Sequence, residues 1–241
     1  MIRVTIWNEH TLITDEVLAV YPGGIHTYLA KVLGTEEDFE IRTAILEEPE
    51  HGLTEAVIES TDVLIWWGHN AHHLVEEEIA NRVVAAVQRG MGLIVLHSGH
   101  LAKPFRYLMG TSCNLNWRDG DFERVWTVDP SHPIAAGVPA SFDLEMEEMY
   151  GERFDIPTPD EVIFMGWFSG GEVFRSGCTW RRGHGKVFYF QPGHETNPSY
   201  KNDTVQLIIK NAIRWAQPTY RVEKLISPNA VPSPEERRLA K

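Results

Sequence analysis

Cysteine is scarce in this chain, which has two, Cys113 and Cys178, in 241 residues. Without a C-x-x-C spacing they form neither a disulfide framework nor a paired-cysteine metal site, and this predicts a cytoplasmic protein. Positive charge is also in short supply, since 22 Lys and Arg residues face 34 Asp and Glu residues for a net charge of -12. That balance disfavours nucleic acids and anionic membranes as partners.

Long hydrophobic runs are missing as well. No apolar stretch approaches the roughly 18 residues that a membrane-spanning helix needs. The first residues, Met1 to Trp7, enter a strand without the layout of a signal peptide, so we expect no membrane association. No glycine-rich G-x-G-x-x-G or Walker loop follows a strand, and we therefore expect no nucleotide cofactor.

Short apolar runs alternate with amphipathic segments through the first hundred residues. The helical segments lie at 25–33, 55–60, 75–89 and, late in the chain, 205–215. The strands lie at 3–7, 39–46, 63–67, 93–96 and 186–190. This pattern predicts an α/β, flavodoxin-like fold, a mostly parallel sheet with helices on both faces. The region 122–180 alternates polar and apolar residues and predicts an added antiparallel segment.

The composition changes near the end of the chain, where charged residues and prolines replace the apolar pattern. We therefore divide the chain into one domain, residues 1–217, and a C-terminal tail, residues 218–241. Pro228, Pro232 and Pro234 argue against a helix in the tail. We expect the tail to be mobile or packed on a neighbouring surface, and the protein to be a homo-oligomer.

Many histidines stand directly after predicted strands. Because the carboxyl ends of parallel strands meet at one edge of a sheet, where α/β proteins bind ligands, this placement predicts a shared polar pocket. Imidazoles bind zinc and related metals, and they also act as general acids and bases near neutral pH. A histidine that is only hydrogen-bonded in a turn is the plainer alternative. The histidines concerned are His10, His69, His72, His73, His97, His100 and His194.

Carboxylates are the second requirement of such a pocket, and Glu147 and Glu148 lie in an acidic segment before Tyr150. A solvated acidic loop is the alternative for that segment. We predict His97, His194 and Glu148 as catalytic residues. A divalent metal, zinc or manganese, would be bound by His10, His97, His194 and Glu148. The predicted substrate-binding residues are Asn8, His26, His69, His100 and Tyr150.

Four short motifs in this order resemble the ThuA, or trehalose utilisation, family over residues 1 to about 216. The family positions matched by the candidate residues are His97, Glu148, Tyr150, Gly193 and His194. The Asn8-Glu9-His10 segment and the cluster of His69, His72 and His73 depart from typical members. The motifs are Gly90-x-Gly92-Leu-Ile-Val-Leu-His97, His132-Pro133-Ile134-x-x-Gly137-Val138-Pro139, Glu147-Glu148-Met149-Tyr150, and Gly183-x-Gly185-Lys-Val-Phe-Tyr with Gly193-His194.

The resemblance implies a fold like that of class I glutamine amidotransferases and a role in the catabolism of trehalose or related disaccharides, including 3-keto forms. Amidotransferases carry a nucleophilic cysteine in the turn after the strand that precedes His97, whereas this chain has His97-Ser98-Gly99 there. Their late His-x-Glu is absent too, because His194 and Glu195 are adjacent. The resemblance therefore does not extend to amidotransferase activity.

Two classes of function remain open at this point. One is an enzyme that acts on a carbohydrate, such as a metal-assisted hydrolase, lyase or isomerase. The other is a non-catalytic sugar-binding or regulatory protein that uses the same pocket for recognition. In both cases the partner is a small carbohydrate, and the metal content of the purified protein would help to distinguish the two.

Overall fold

The computed structural model describes residues 1–227, 231 and 233–239 of the chain. In these residues nine strands form one sheet, in the order β2-β1-β3-β4-β9-β8-β7-β5-β6. The strands are β1 (Ile2–Asn8), β2 (Phe39–Ile45), β3 (Val63–Trp67), β4 (Gly92–Leu96), β5 (Asn116–Thr127), β6 (Ser141–Gly151), β7 (Glu161–Phe168), β8 (Val173–Arg182) and β9 (Gly185–Phe190).

Parallel pairing builds one half of the sheet. β1 pairs with β2 and β3, β3 pairs with β4, and β4 pairs with β9. These five strands coincide with the five predicted ranges. In β4, Leu93 and Val95 face one core cluster, whereas Ile94 and Leu96 face the other. Both faces of the strand are therefore buried, which explains why the run is apolar throughout.

Antiparallel pairing builds the other half, so the prediction of a mostly parallel sheet is wrong. β5 pairs with β6 and β7, β7 with β8, and β8 with β9. These pairs equal the parallel ones in number, and they join longer strands, β5 alone having 12 residues. The antiparallel segment predicted at 122–180 is present, but it is part of the main sheet. The two halves are joined at β9, which pairs with β4 in parallel and with β8 in antiparallel orientation.

Helices cover both faces of the sheet, as predicted. Side chains of α2 and α6 belong to one core cluster and those of α4 and α5 to the other. Among the described residues, no helix is both long enough and apolar enough to cross a membrane. The helices are α1 (Asp15–Val20), α2 (Ile25–Leu33), α3 (Glu55–Glu59), α4 (Glu77–Arg89), α5 (Lys103–Met109), α6 (Asp203–Ala216) and α7 (Pro234–Leu239).

The tail contains a short helix that the sequence did not predict. Pro234 is the first residue of α7, a position where a proline costs little because its missing N–H would have no helical partner. Pro228 and Pro232 lie outside the described residues. The start of the tail packs on the domain, since Val222 donates to the Arg89 carbonyl and Tyr220 bonds His184 at 2.7 Å. The boundary at residue 217 stays a prediction.

Candidate functional site

Three of the predicted histidines meet at the carboxyl ends of neighbouring parallel strands. His69 follows β3, His97 follows β4 and His194 follows β9. Their ring centroids are 6.2 Å apart for His69 and His97, 5.5 Å for His69 and His194, and 5.6 Å for His97 and His194. The parallel half of the sheet therefore gathers residues that are up to 125 positions apart in the sequence, from 69 to 194. We call these three residues the histidine trio.

His97 is held rigidly in the turn that ends β4. It is fully buried, and its φ of +50° lies in the left-handed region that few non-glycine residues adopt. Its Nδ1 lies 2.8 Å from the carbonyl oxygen of Gln191. A carbonyl can only accept a hydrogen bond, so Nδ1 carries a proton and donates it. The other ring nitrogen, Nε2, therefore faces away from Gln191, toward Glu148 and Tyr150.

Nε2 of His97 faces two side chains of β6. The Glu148 carboxylate oxygen Oε2 lies 2.9 Å from it, and the Tyr150 hydroxyl lies 3.3 Å from it. Burial lowers the pKa of His97, but the hydrogen bond and the charge of Glu148 outweigh burial and raise it. Burial likewise raises the pKa of Glu148, whereas the hydrogen bond from His97 and the nearby histidines lower it to about 2. The two side chains form an imidazolium–carboxylate pair, which we call the His97–Glu148 dyad.

In His194 the role of Nδ1 is reversed, because here Nδ1 accepts a hydrogen bond. Its Nδ1 accepts a hydrogen bond from the backbone N–H of Thr196 at 3.2 Å and lies 2.9 Å from the Thr196 hydroxyl. Because the backbone N–H can only donate, Nδ1 holds a lone pair and the proton of the neutral ring lies on Nε2. Burial and the neighbouring charge of His97 lower the pKa of His194, which favours that neutral form.

Glu195 positions the third member of the trio. Its Oε2 lies 2.8 Å from Nδ1 of His69 and 3.7 Å from Nε2 of His194. Burial raises the pKa of Glu195, but the hydrogen bond from His69 lowers it below the usual range. A carboxylate that bonds one imidazole nitrogen fixes the ring and its tautomer. The carboxylate beside His194 therefore acts mainly on His69.

Glu147 and Glu148 are adjacent on β6 but make different contacts. Glu147 is fully buried and accepts the backbone N–H groups of Gly193 at 2.9 Å and His194 at 3.2 Å, together with the Ser199 hydroxyl. It therefore holds the turn that presents His194. Glu148 points toward His97 and lines the pocket. The acidic segment is part of strand β6, in which Glu147 and Glu148 are buried and Glu145 is exposed, so it is not the solvated loop that was the alternative.

Two cavities lie beside the dyad and share Asp119 and Glu148 in their walls. One has a volume of about 340 Å³ and is also lined by His69, His100, Tyr150 and the exposed indole of Trp117. The other has a volume of about 510 Å³ and is also lined by His194, Thr196, Asn197 and Met146. Glu148 is thus a wall residue of both cavities, and each cavity also contains one member of the histidine trio.

The other predicted site residues fall into two groups. His100 and Tyr150 lie with the trio, although His100 is buried, donates from Nδ1 to the Cys113 carbonyl at 2.7 Å, and has its pKa lowered by burial to about 3. Asn8 at the end of β1, His10 in the loop after it and His26 on α2 form a separate group. There the Asn8 side chain accepts the N–H of His10, and the rings of His10 and His26 are 4.9 Å apart.

Two sets of side chains bring possible metal ligands within 4.8 Å of one another in the described part of the chain. They are His69, His194 and Glu195, and Asp119, Glu148 and His194. His10 and His97, two of the four predicted ligands, belong to neither set, because His10 packs against His26 and Nε2 of His97 is paired with Glu148. The predicted metal centre stays a prediction.

Sequence reasoning missed several residues that build the site. Gln191 and Thr196 act through hydrogen bonds to histidine rings, and no sequence pattern marks such contacts. Asp119 lies in the polar, exposed start of β5, where the sequence has no hydrophobic period to indicate a strand. Glu195 was not missed in this way, because a carboxylate beside a histidine after a buried strand is predicted from the sequence to orient an imidazole or bind a hydroxyl.

One protein-family model matches most of the chain. The model described as ThuA, trehalose utilisation, covers residues 3–216. The matched range includes every member of the histidine trio, the His97–Glu148 dyad and, apart from Ile2 at the start of β1, all nine described strands. No curated protein matches the sequence of the chain at a significant level.

Solved structures share the fold at low sequence identity. A ThuA-like protein from Parabacteroides merdae has a TM-score of 0.68 at 16% identity, covering 92% of this chain and 93% of that one. A ThuA-like protein from Bacteroides uniformis has a TM-score of 0.63 at 17% identity, with coverages of 89% and 91%. A cytoplasmic protein from Salmonella typhimurium has a TM-score of 0.61 at 11% identity, with coverages of 90% and 100%. At these identities the likeness concerns the fold alone.

Proposed function

This chain belongs to the ThuA, or trehalose utilisation, family, and from that premise we propose that it is an enzyme of carbohydrate catabolism. Its substrate is a disaccharide, either trehalose or a related sugar, including a 3-keto form. The substrate binds around the histidine trio, and the His97–Glu148 dyad transfers a proton to or from it.

The observation that carries the proposal is the position of Glu148 between two cavities. Each cavity, at about 340 and 510 Å³, has room for a sugar ring, and Asp119 and Glu148 lie in the walls of both. A disaccharide with one ring in each cavity has its central atoms next to the dyad. Exposed Trp117 offers an aromatic face to one ring, and carboxylates and imidazoles are suited to bonding sugar hydroxyls.

The cysteines support the exclusion of amidotransferase chemistry. Burial raises the pKa of Cys113 to about 11 and that of Cys178 to about 12, so neither is a thiolate at neutral pH. Neither follows β4, where His97, Ser98 and Gly99 stand. The chemistry therefore depends on imidazole and carboxylate groups.

A divalent metal, zinc or manganese, is a further component of the proposal. Glu148 and Asp119 lie close enough to hold it together, and such oxygen ligands suit manganese while histidine suits zinc. When bound, the ion would polarise an oxygen of the sugar. Elemental analysis of the purified protein measures whether it is there, and near-stoichiometric zinc or manganese is the expected result.

Turnover of trehalose and of 3-ketotrehalose by the purified protein, followed by NMR, tests the proposed enzyme. Glu148→Gln is the test variant, and we expect it to reduce turnover by roughly 10²- to 10⁴-fold, the usual contribution of a general acid or base. Glu145→Gln is the matched control, because Glu145 lies on the same strand but is exposed. Sugar binding without turnover would favour the non-catalytic alternative, and full turnover by Glu148→Gln would exclude the dyad from the reaction.

A further inference from the structure

Backbone groups constrain Nδ1 of the two histidines that face Glu148 in opposite ways, as a donor in His97 and as an acceptor in His194. The Gln191 carbonyl fixes the proton of His97 on Nδ1, and the Thr196 N–H fixes the proton of neutral His194 on Nε2. Both constraints come from backbone groups, which cannot exchange the roles of donor and acceptor. The pocket therefore contains a fixed hydrogen-bond donor, His194 Nε2–H, beside the His97–Glu148 dyad.

We propose that His194 binds a carbonyl oxygen of the substrate through Nε2–H while Glu148 removes a proton from the neighbouring carbon. This inference rests on the proposed carbohydrate function and narrows it. The substrate class is a sugar with a ketone group next to a C–H bond, and the reaction class is enolisation. A carboxylate base opposite a neutral imidazole donor is an established arrangement for this chemistry.

The geometry supports the pairing of these two groups. Glu148 and His194 line the same cavity of about 510 Å³, so one ligand can contact both. The rings of His97 and His194 are 5.6 Å apart and nearly perpendicular, at 87°. Candidate ligand atoms of Glu148 and His194 lie within 4.8 Å of each other, so the carboxylate and the ring can contact adjacent atoms of one ligand. Glu147 fixes the backbone of His194, so the donor does not have to be reorganised during the reaction.

The step is balanced without any further reagent. Glu148 accepts the proton of the α C–H bond, whose electron pair forms the new C=C bond. The carbonyl electron pair moves to the oxygen, and the resulting enolate is stabilised by the hydrogen bond from His194. Where the α carbon bears a hydroxyl, the proton of that hydroxyl passes to the enolate oxygen and its oxygen becomes the new carbonyl oxygen. Return of the proton held by Glu148 to the former carbonyl carbon then gives an isomeric sugar. If instead a glycosidic oxygen is attached to the carbon on the other side of the α carbon, its C–O bond breaks and the oxygen departs with the electron pair. That oxygen takes the proton held by Glu148, and the products are an enone and a free sugar.

The same tautomer makes His194 a poor metal ligand. A ligating nitrogen must present a lone pair, and the lone pair of His194 is on Nδ1, where Thr196 occupies it. Both sets of residues that approach metal-binding spacing include His194. A metal bound at this edge would therefore depend on His69 and the carboxylates, and His194 would keep its proton.

The proton positions can be read directly from the protein labelled with ¹⁵N-histidine. Two-bond ¹H–¹⁵N correlation spectra distinguish the tautomers, and His194→Gln and His97→Gln identify the two signals. We expect His194 to show the Nε2–H pattern, with or without one equivalent of ZnCl₂. An Nδ1–H pattern for His194, or loss of its Nε2 proton signal when zinc is added, would overturn the inference whatever the substrate is.

Solvent exchange tests the chemistry separately. 3-Ketotrehalose in D₂O should lose the protons next to its carbonyl in the presence of the protein, as followed by ¹H NMR. His194→Ala should slow this exchange by roughly 10²- to 10³-fold, the usual cost of losing one such donor. His194→Gln, which keeps an N–H donor, should slow it less. Binding of the sugar without exchange would overturn enolisation, whereas absence of any sugar binding would overturn the proposed function itself.

Discussion

At the scale of single residues, neighbouring carboxylates in this protein have unlike roles because their surroundings differ. Glu147 faces backbone N–H groups and a hydroxyl, which bond its oxygens from several sides. Glu148, the next residue, faces an imidazole and two cavities. The first is a structural acceptor for the turn after β9, and the second is available to a ligand.

Glu147→Gln should destabilise the fold. One of its two oxygens becomes an NH₂ group that faces hydrogen-bond donors, and each buried donor left without a partner costs about 1–3 kcal/mol. Urea unfolding measures the loss. Exposed Glu145→Gln should stay within about 0.5 kcal/mol of the wild type. Equal unfolding midpoints for Glu147→Gln and the wild type would show that these bonds do not hold the turn.

Glu123 gives the protein a stability that depends on pH. Its carboxyl is fully buried, and burial, followed by the charge of Glu147, raises its pKa well above the usual value. The Ser176 hydroxyl donates to one oxygen at 3.1 Å, and within the described residues no group bonds the other. Between the unfolded-state pKa of about 4.3 and the raised folded-state pKa, the folded protein binds more protons than the unfolded chain.

The free energy of unfolding should therefore fall as pH rises through that range, because the buried Glu123 carboxyl holds a proton in the folded state that the unfolded chain has already lost. Glu123→Gln keeps the shape of the neutral carboxyl but has no proton to lose, so its stability should lack this slope and should equal or exceed that of the wild type at pH 8. Urea unfolding from pH 5 to 9, followed by tryptophan fluorescence, makes the comparison. Parallel curves for the two proteins would contradict the raised pKa.

Trp117 should contribute to ligand binding and not to stability. Its side chain is 62% exposed and lines the cavity of about 340 Å³. Trp117→Ala should weaken the binding of the disaccharide by about 3- to 10-fold, from the 0.5–1.5 kcal/mol of a typical aromatic contact, and leave the melting temperature unchanged. Trp126→Ala is the matched control, because Trp126 is exposed on the same strand and lies outside that cavity. Equal Kd values for both variants would remove Trp117 from the site.

At the scale of elements, the parallel half of the sheet could be predicted and the antiparallel half only in outline. β3 and β4 are buried on both faces, so their sequences are apolar throughout. The change in polarity after the last apolar residue marks where each strand ends. The start of β5 is exposed, so its sequence is polar and resembles that of a loop. The position of Glu148 depends on how β6 pairs at the far end of the sheet, and pairing between distant strands leaves no local signal.

The candidate site follows the same division. The convergence of His69, His97 and His194 is a consequence of parallel strands and was predictable from the sequence. The role of each ring nitrogen as donor or acceptor could not be predicted. In His97 and His194 it is set by the Gln191 carbonyl and the Thr196 N–H, whose positions depend on the folded backbone. His10 was grouped with them because it also follows a strand, but its turn directs it toward His26.

At the scale of the whole molecule, the tail should be dispensable for folding. Residues 220–222 bond the domain at its surface, and among the described residues α7 buries no side chain. Deletion of 218–241 should leave a cooperative thermal transition with a lowered midpoint, and deletion of 228–241, which keeps those bonds, should leave the midpoint unchanged. Loss of the cooperative transition in the longer deletion would place the tail within the core. Sedimentation of the same proteins tests the predicted homo-oligomer.

The sheet that changes from parallel to antiparallel at β9 also has a consequence for the order in which the candidate site is assembled during synthesis. His69 and His97 leave the ribosome early, but their partners Gln191, His194 and Glu195 follow roughly a hundred residues later. A nascent chain reaching residue 180 has the dyad but lacks β9, the strand that joins the halves. Products of translation that end before β9 therefore lack Gln191, His194 and Glu195, and the last quarter of the chain completes the candidate site.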